Sequence, residues 1–169
     1  MAALKLKGDR AEIEVARDLI RRGYRIAIPY GEDWDFDLIF SRPGNERLEC
    51  VQVKYCTSDG RVVELRARSQ SLTNGKVQRV KRYTAAMIDW LAAYDRTTDR
   101  CYYLPAAELG RGMSVVALRL VPARNSQRLR IRLAEDYLDP EPPAQLALGM
   151  EPAGLEPATF RMQTERSSN

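Results

Sequence analysis

Between Leu48 and Cys56 the chain is a mainly apolar run in which Gln52 and Lys54 stand two positions apart. The run predicts a strand. Successive strand side chains point to opposite faces, so Gln52 and Lys54 share one face while Val51, Val53 and Tyr55 take the other. Upstream, Asp35 to Phe40 alternates, with Phe36, Leu38 and Phe40 on one side and Asp35, Asp37 and Ile39 on the other. The turn residues Arg42-Pro43-Gly44-Asn45 join the two segments into a hairpin. Tyr24 to Pro29 predicts a further strand, followed by a turn at Tyr30-Gly31-Glu32-Asp33. After Ser58-Asp59-Gly60 comes another, Val62–Ala67. Ahead of all these, the spacing of Val15, Ala16, Leu19 and Ile20 predicts one stripe of a helix from about Lys7 to Arg22, ended by Gly23. Glu12 falls near the centre of that stripe, and Glu14 on the opposite face. The prediction is a helix followed by a four-strand meander, with polar chemistry gathered on one face.

Further on, the pattern is less regular. Ser69 to Arg82 is polar and basic and is expected to be a loop, with or without helical turns, and with a turn at Asn74-Gly75. Ala85–Tyr94 fits either helix or strand. Asp95-Arg96-Thr97-Thr98-Asp99 predicts a hairpin tip before a strand at Arg100–Leu104. Pro105 suits the first turn of a short helix, Ala106–Leu109, ended by Gly110. Ser114–Val121 predicts a buried strand, and Arg128–Leu138 a last helix. From Asp139 the periodicity disappears, and five of the nine prolines fall after that point. The expected organisation is one domain over residues 1–138 and a disordered tail over 139–169.

Length and composition fit that picture. A chain of 169 residues, 44% hydrophobic and 30% charged, suits one globular domain with a real core. No apolar stretch approaches the length of a membrane span. Met1 to Asp9 lacks the apolar centre of a secretion signal, so the expectation is a cytoplasmic protein. Cys50, Cys56 and Cys101 form no metal-ligand spacing and are expected to be small strand residues. Histidine is absent. That removes Ser-His-Asp and Cys-His triads and HExxH zinc sites, leaving Asp, Glu, Lys, Tyr or a metal to do any acid–base work.

Charge narrows the partner. Residues 1–140 hold 25 Lys and Arg against 19 Asp and Glu, a net +6. Arg61–Arg82 carries seven basic residues and one acid, Glu64; Arg119–Arg132 carries five arginines and no acid. Such clusters suit a polyanion. A solvated face of an Arg-rich protein is the plainer alternative.

Asp37, Gln52, Lys54 and Glu12 converge on one inferred surface. Taken singly, each has a plain structural explanation: a strand-edge charge for Asp37, an outward lysine for Lys54, a helix-start carboxylate for Glu12. Together they match what phosphodiester cleavage needs. Mg²⁺ held by one or two carboxylates keeps open positions for water and substrate, and Mn²⁺ is the usual substitute. Asp37 is the best ligand candidate, with the Val53 carbonyl beside it and Gln52 as a neutral oxygen. Lys54 is placed to orient the water or stabilise phosphoryl charge. Glu12 leans over from the helix.

The ordered set Lys7-Gly8-Asp9-Arg10-Ala11-Glu12, Gly23-Tyr24, Pro29-Tyr30-Gly31, Asp37-Leu38 and Val51-Gln52-Val53-Lys54-Tyr55 resembles the PD-(D/E)XK nuclease superfamily. Within it, the group I intron-associated homing endonuclease-like members are the most similar. Ile88-Asp89-Trp90, Tyr102-Tyr103-Leu104-Pro105, Asn125-Ser126-Gln127 and Ala134-Glu135-Asp136-Tyr137 extend the likeness over about residues 5–138. The resemblance implies an α/β fold with a mixed sheet, a restriction endonuclease-like αβββαβ core. It implies Mg²⁺-dependent cleavage of double-stranded DNA by a homo-oligomer, a dimer or tetramer. Asp37 would be the central metal ligand, Glu12 the helix carboxylate, Gln52 the substitute for a second acid and Lys54 the catalytic lysine. Phe36 stands where the nominal motif has proline.

For DNA, the first expected contacts are Arg66, Arg68, Lys76, Arg79, Lys81 and Arg82 to phosphates, with Gln70, Asn74 and Gln78 at base edges. Arg124, Asn125, Gln127 and Arg128 are the second set. Tyr83, Tyr102 and Tyr103 are expected in the core or an interface. Two alternatives stay open on the same fold: a Holliday-junction-resolvase-like nuclease and a catalytically inactive DNA-binding module. In the tail, Gly154-Leu155-Glu156-Pro157-Ala158-Thr159-Phe160 resembles peptides encoded where a reading frame runs through a transfer-RNA gene.

Overall fold

The computed structural model describes residues 2–31, 34–45, 47–73, 76–122 and 131–141. Helix α1 (Ala2–Arg21) leads the chain. It buries Ala11, Val15 and Leu19 against the sheet, while Ile20 is 56% exposed. The stripe is therefore rotated from the predicted one. Positions 11, 15 and 19 are four apart and lie along one face; Ile20 is 100° further round. Gly23 ends the helix at φ 83°, with Gly23 N–H donating to Ile20 and Tyr24 N–H to Leu19. That pair of bonds is the Schellman closure, and glycine adopts the left-handed conformation without strain.

A five-stranded mixed sheet follows, in the order β1-β2-β3-β7-β8. β1 (Arg25–Ala27), β2 (Leu38–Ser41) and β3 (Glu49–Cys56) are antiparallel neighbours. β3 then runs parallel to β7 (Trp90–Asp95), which pairs antiparallel with β8 (Arg100–Pro105). The mixed α/β sheet matches the expected fold class. Leu38, Phe40, Val51, Val53, Trp90, Ala92 and Tyr94 face α1 and close one core around Val15 and Leu19. On the other face, Cys56, Leu91, Ala93, Tyr102 and Leu104 meet a second layer.

That second layer corrects the predicted meander. β4 (Val62–Arg66) does not extend the sheet but pairs antiparallel with β9 (Val115–Arg119). Val63, Leu65, Val116 and Leu118 point inward and their neighbours outward, so β9 is half-buried rather than a fully buried strand. The basic segment predicted as a loop is a hairpin, β5 (Arg68–Thr73) and β6 (Lys76–Arg82), with a register shift at Ser71/Leu72. Its backbone is satisfied by cross-strand pairing, which polar composition does not forbid. The ambiguous Ala85–Tyr94 segment resolves into a turn at 85–87 and strand β7. Among the described residues the β3-to-β7 crossover is thus made of strands and turns, with no second long helix. The hairpin tip at Asp95–Asp99 forms as predicted, and a 3₁₀ turn at Ala106–Glu108 follows Pro105.

Arg128–Leu138 contains only a 3₁₀ turn, Ala134–Tyr137, among its described residues. Beyond it, Asp139 pairs with Arg22 at 2.6 Å, and the Pro140 carbonyl accepts from Arg42. Residues 142–169, most of the predicted tail, lie outside the described residues, as do 123–130. No helix among the described residues is long and apolar enough to cross a membrane.

Candidate active site

β2 begins only at Leu38, paired with Val51, so among the described residues the edge of β3 beyond Val51 has no strand partner on that side. Alternate residues of a strand direct their N–H and C=O to the same edge. Val51 C=O accepts the Asp37 N–H at 2.9 Å. Two residues on, the Val53 N–H turns to the Asp37 side chain and donates to Oδ2 at 2.7 Å. The carboxylate thus replaces the missing strand carbonyl, and the Val53 carbonyl leaves the same open edge. Gln52, 6% exposed, also donates from Nε2 to Asp37 Oδ2, and its Nε2 lies 3.3 Å from the Val53 carbonyl.

Glu12, Asp37, Gln52, Val53 and Lys54 line one cleft of about 810 Å³. All four side chains singled out in the sequence therefore line the same cleft. Glu12 descends from α1, Asp37 stands at the mouth of β2, and Gln52 and Lys54 project from the β3 face away from α1. Lys7, Asp59, Glu64 and Arg66 join the lining. A smaller cleft of about 270 Å³ between α1 and the β7–β8 end holds Glu14, Arg17, Asp18 and Arg22. There the charges are spent on each other, Arg17 with Glu14 and Arg22 with Asp18, both at 2.9 Å.

Two of the carboxyls that line the larger cleft, Asp37 and Glu12, are strained electrostatically. Burial pushes the Asp37 carboxyl above its ordinary value, against the Val53 N–H, the Lys54 charge and the Gln52 amide. Burial also raises Glu12, helped by repulsion from Asp37 and Asp9 and opposed by Lys54. Two desolvated carboxylates that repel each other, beside the Val53 carbonyl that accepts from the Gln52 amide at 3.3 Å, form an oxygen set suited to a hard divalent cation. Among the described residues no three Asp, Glu, Cys or His side chains are grouped closely enough to hold a metal ion by themselves, and the side chain beside Asp37 is the neutral Gln52. In the orientation found, its amide nitrogen faces Asp37. Turning the amide over about its last torsion brings Oε1 to the same place.

Lys54 is half-buried, and its Nζ donates to Tyr83 Oη at 3.4 Å, 4.8 Å from the ring centroid. Burial pushes the Cys56 and Cys101 thiols up to about 12.

The expected DNA contacts are placed unevenly. Arg66 lines the cleft, and Arg68, Gln70 and Arg82 are exposed on or beside the hairpin. Lys81 is held by Asp35 in an ion pair. Asn74, Arg124, Asn125, Gln127 and Arg128 lie outside the described residues, as do the side chains of Lys76, Gln78 and Arg79. Tyr83, Tyr102 and Tyr103 are buried, as expected. Sequence reading missed the contact of Tyr83 with Lys54 and that of Lys81 with Asp35. Both join residues far apart in the chain, and no local spacing announces them.

Comparison with known proteins bears on the family and the fold. The profile of the PD-(D/E)XK endonuclease family matches residues 2–140. Among solved structures, the chain is similar to a bacterial homing endonuclease, I-Ssp6803I, at 21% identity and a TM-score of 0.59. The likeness covers 79% of this chain and 86% of that one and concerns the fold. No curated protein matches the sequence. The profile match spans the helix, the sheet and every side chain of the cleft: the chain belongs to the PD-(D/E)XK endonuclease family.

Proposed function

We propose that this protein hydrolyses phosphodiester bonds of double-stranded DNA, with a divalent cation, Mg²⁺ being the physiological one, held in the cleft at the open edge of β3. The observation that carries the reading is the meeting of Asp37, the Val53 backbone, Gln52 and Lys54 at that edge. Asp37, the Val53 carbonyl, Gln52 and Glu12 would hold the cation. When bound, it supplies an activated water and neutralises phosphoryl charge. Asp37, fixed by the Val53 N–H, gives the set a rigid first point. Lys54 Nζ donates a hydrogen bond to the attacking water or to a phosphoryl oxygen, aligning the first and stabilising charge on the second. Arg66 and the hairpin arginines hold the phosphate backbone across the mouth of the cleft. Cutting both strands of a duplex needs two such sites, which a symmetric homo-oligomer provides. The setting is the DNA-containing interior of the cell.

Nicking of supercoiled plasmid with Mg²⁺ tests this, comparing wild type with Asp37→Ala and Lys54→Ala at equal folded concentration. Cleavage by wild type alone is the expected result. Equal cleavage by all three would place the activity elsewhere. A second reading, a DNA-binding module without cleavage, draws on the amide of Gln52 hydrogen-bonding Asp37 in place of a second acid. Salt-sensitive DNA binding by wild type, with no cleavage across a broad DNA library, would favour it.

A further inference from the structure

Lys54 carries a long, flexible side chain, and two carboxylates lie within reach of its charge. Left to itself, an ammonium on a four-carbon stem would settle on Asp37 or Glu12 and compete with a cation there. In the structure it turns the other way. Its Nζ lies 4.8 Å from the centroid of the Tyr83 ring and 3.4 Å from Tyr83 Oη. A cation so placed is attracted by the ring's negative face.

Tyr83 is itself firmly held. It is 6% exposed, and its N–H donates to the Ala67 carbonyl at 3.0 Å, closing the base of the β5–β6 hairpin. Lys81, two residues earlier, lies 5.9 Å from the same ring and pairs with Asp35, two residues before Asp37. The ring is thus fixed by the hairpin on one side and by the segment leading into the metal-binding carboxylate on the other.

We propose that Tyr83 is a positioning residue, whose ring face and hydroxyl hold the Lys54 ammonium clear of Asp37 and Glu12 and point it at the reacting phosphate. This rests on the nuclease reading for its consequence in catalysis, but not for the placement of the lysine. Removing the ring frees the ammonium to fall onto the carboxylates. Cleavage then slows, and more divalent cation is needed to reach half the maximal rate. DNA affinity is unaffected, because Tyr83 is buried and contacts no solvent-facing phosphate.

The test joins a spectroscopic readout to a kinetic one. Reductive ¹³C-methylation labels the five lysines of the chain, and the resonance missing in Lys54→Arg identifies Lys54. Methyl protons over a ring face are displaced upfield. The displacement should be present in wild type, retained in Tyr83→Phe and lost in Tyr83→Leu. Single-turnover cleavage should fall on the order of 100-fold in Tyr83→Leu, the penalty for misplacing a reacting group by about an ångström. Tyr83→Phe should recover most of it, and DNA affinity without cation should stay unchanged in both. Circular dichroism and a thermal melt confirm that each variant is folded. A Lys54 resonance without upfield displacement in wild type, or one unaltered in Tyr83→Leu, overturns the proposal. So does a lost displacement with unchanged cleavage. If wild type shows the displacement but cuts no DNA, the placement of Lys54 stands and the nuclease reading fails.

Discussion

The Val53 backbone N–H donates to Asp37 Oδ2 at 2.7 Å, at the point where β2 has not yet begun. A side chain thereby finishes a strand edge, and the carboxylate proposed to hold the cation is tied directly to the sheet backbone. Asp37→Asn keeps the shape and can still accept from Val53 through its amide oxygen, while losing the negative charge. Cleavage of supercoiled plasmid should fall on the order of 100-fold or more, the range for losing one electrostatic contact in an active site. The melting temperature without cation should hold or rise, because a desolvated charge has been removed. Wild-type cleavage rates in the variant would take Asp37 out of the site.

The raised carboxyls of Asp37 and Glu12 set a pH dependence. In both, burial is the main cause, so the folded state binds these protons more tightly than the unfolded state. Their stabilising contribution is complete below the ordinary carboxylate range and is lost as pH rises through the raised folded values. Asp95 has the opposite sign. Burial alone would raise it, but Ser58, Thr98 and the Thr97 N–H outweigh burial and lower it, so its contribution is lost as pH falls. Melting curves of wild type against the double variant Glu12→Gln/Asp37→Asn isolate the first effect. Without divalent cation, the advantage of the variant should grow as pH rises toward neutrality. Added Mg²⁺ at neutral pH should raise the wild-type melting temperature and leave the variant's unchanged. A difference between the two proteins that is flat with pH would remove the electrostatic account.

The site was largely legible in the sequence, and the second layer was not. Gln52 and Lys54 share a face because strand alternation is local, and the turn at Arg42–Asn45 returns the chain so that Asp37 meets them. Those are short-range rules. The departure of β4 from the sheet is a choice of partner: Val62–Arg66 alternates equally well beside β3 or beside β9. Burial of Val63 and Leu65 on the far side of the sheet decides it, and no local pattern encodes that. The hairpin at 68–82 was missed for a related reason. Basic and polar residues suit a DNA-facing hairpin as well as a loop, so composition did not separate them. The tethering of Lys81 by Asp35, 46 positions earlier in the chain, was invisible for the same cause.

That tether makes a distinction among the basic residues. Arg66, Arg68 and Arg82 present exposed side chains, and each should engage about one phosphate. Replacing any one by alanine should weaken DNA binding on all sequences and lower the slope of log affinity against log salt by about 1. Lys81→Ala should change the slope less, because Asp35 already neutralises that ammonium. Fluorescence anisotropy at several salt concentrations, without divalent cation, reads the slopes. Equal slopes in wild type and all three arginine variants would move the DNA path off this face.

Gln52 offers the sharpest test of the cation site, because one substitution should push two properties in opposite directions. Its amide is buried, donates to Asp37 and carries no charge. Gln52→Glu exchanges a donor for a second carboxylate of nearly the same shape, directly against the first. Without cation the donor to Asp37 is lost and like charges are buried together, so the fold should lose about 1–3 kcal/mol in a denaturant melt. With cation present the same oxygen becomes a charged ligand, and the concentration for half-maximal cleavage should fall roughly tenfold, the lower end of what a changed contact around a metal does. Gln52→Ala separates the contributions: it removes the donor without adding charge, so it should raise the cation requirement. If Gln52→Glu weakens the fold but leaves the cation requirement at the wild-type value, Gln52 serves only to hold Asp37. The cation would then rest on Asp37, Glu12 and the Val53 carbonyl alone.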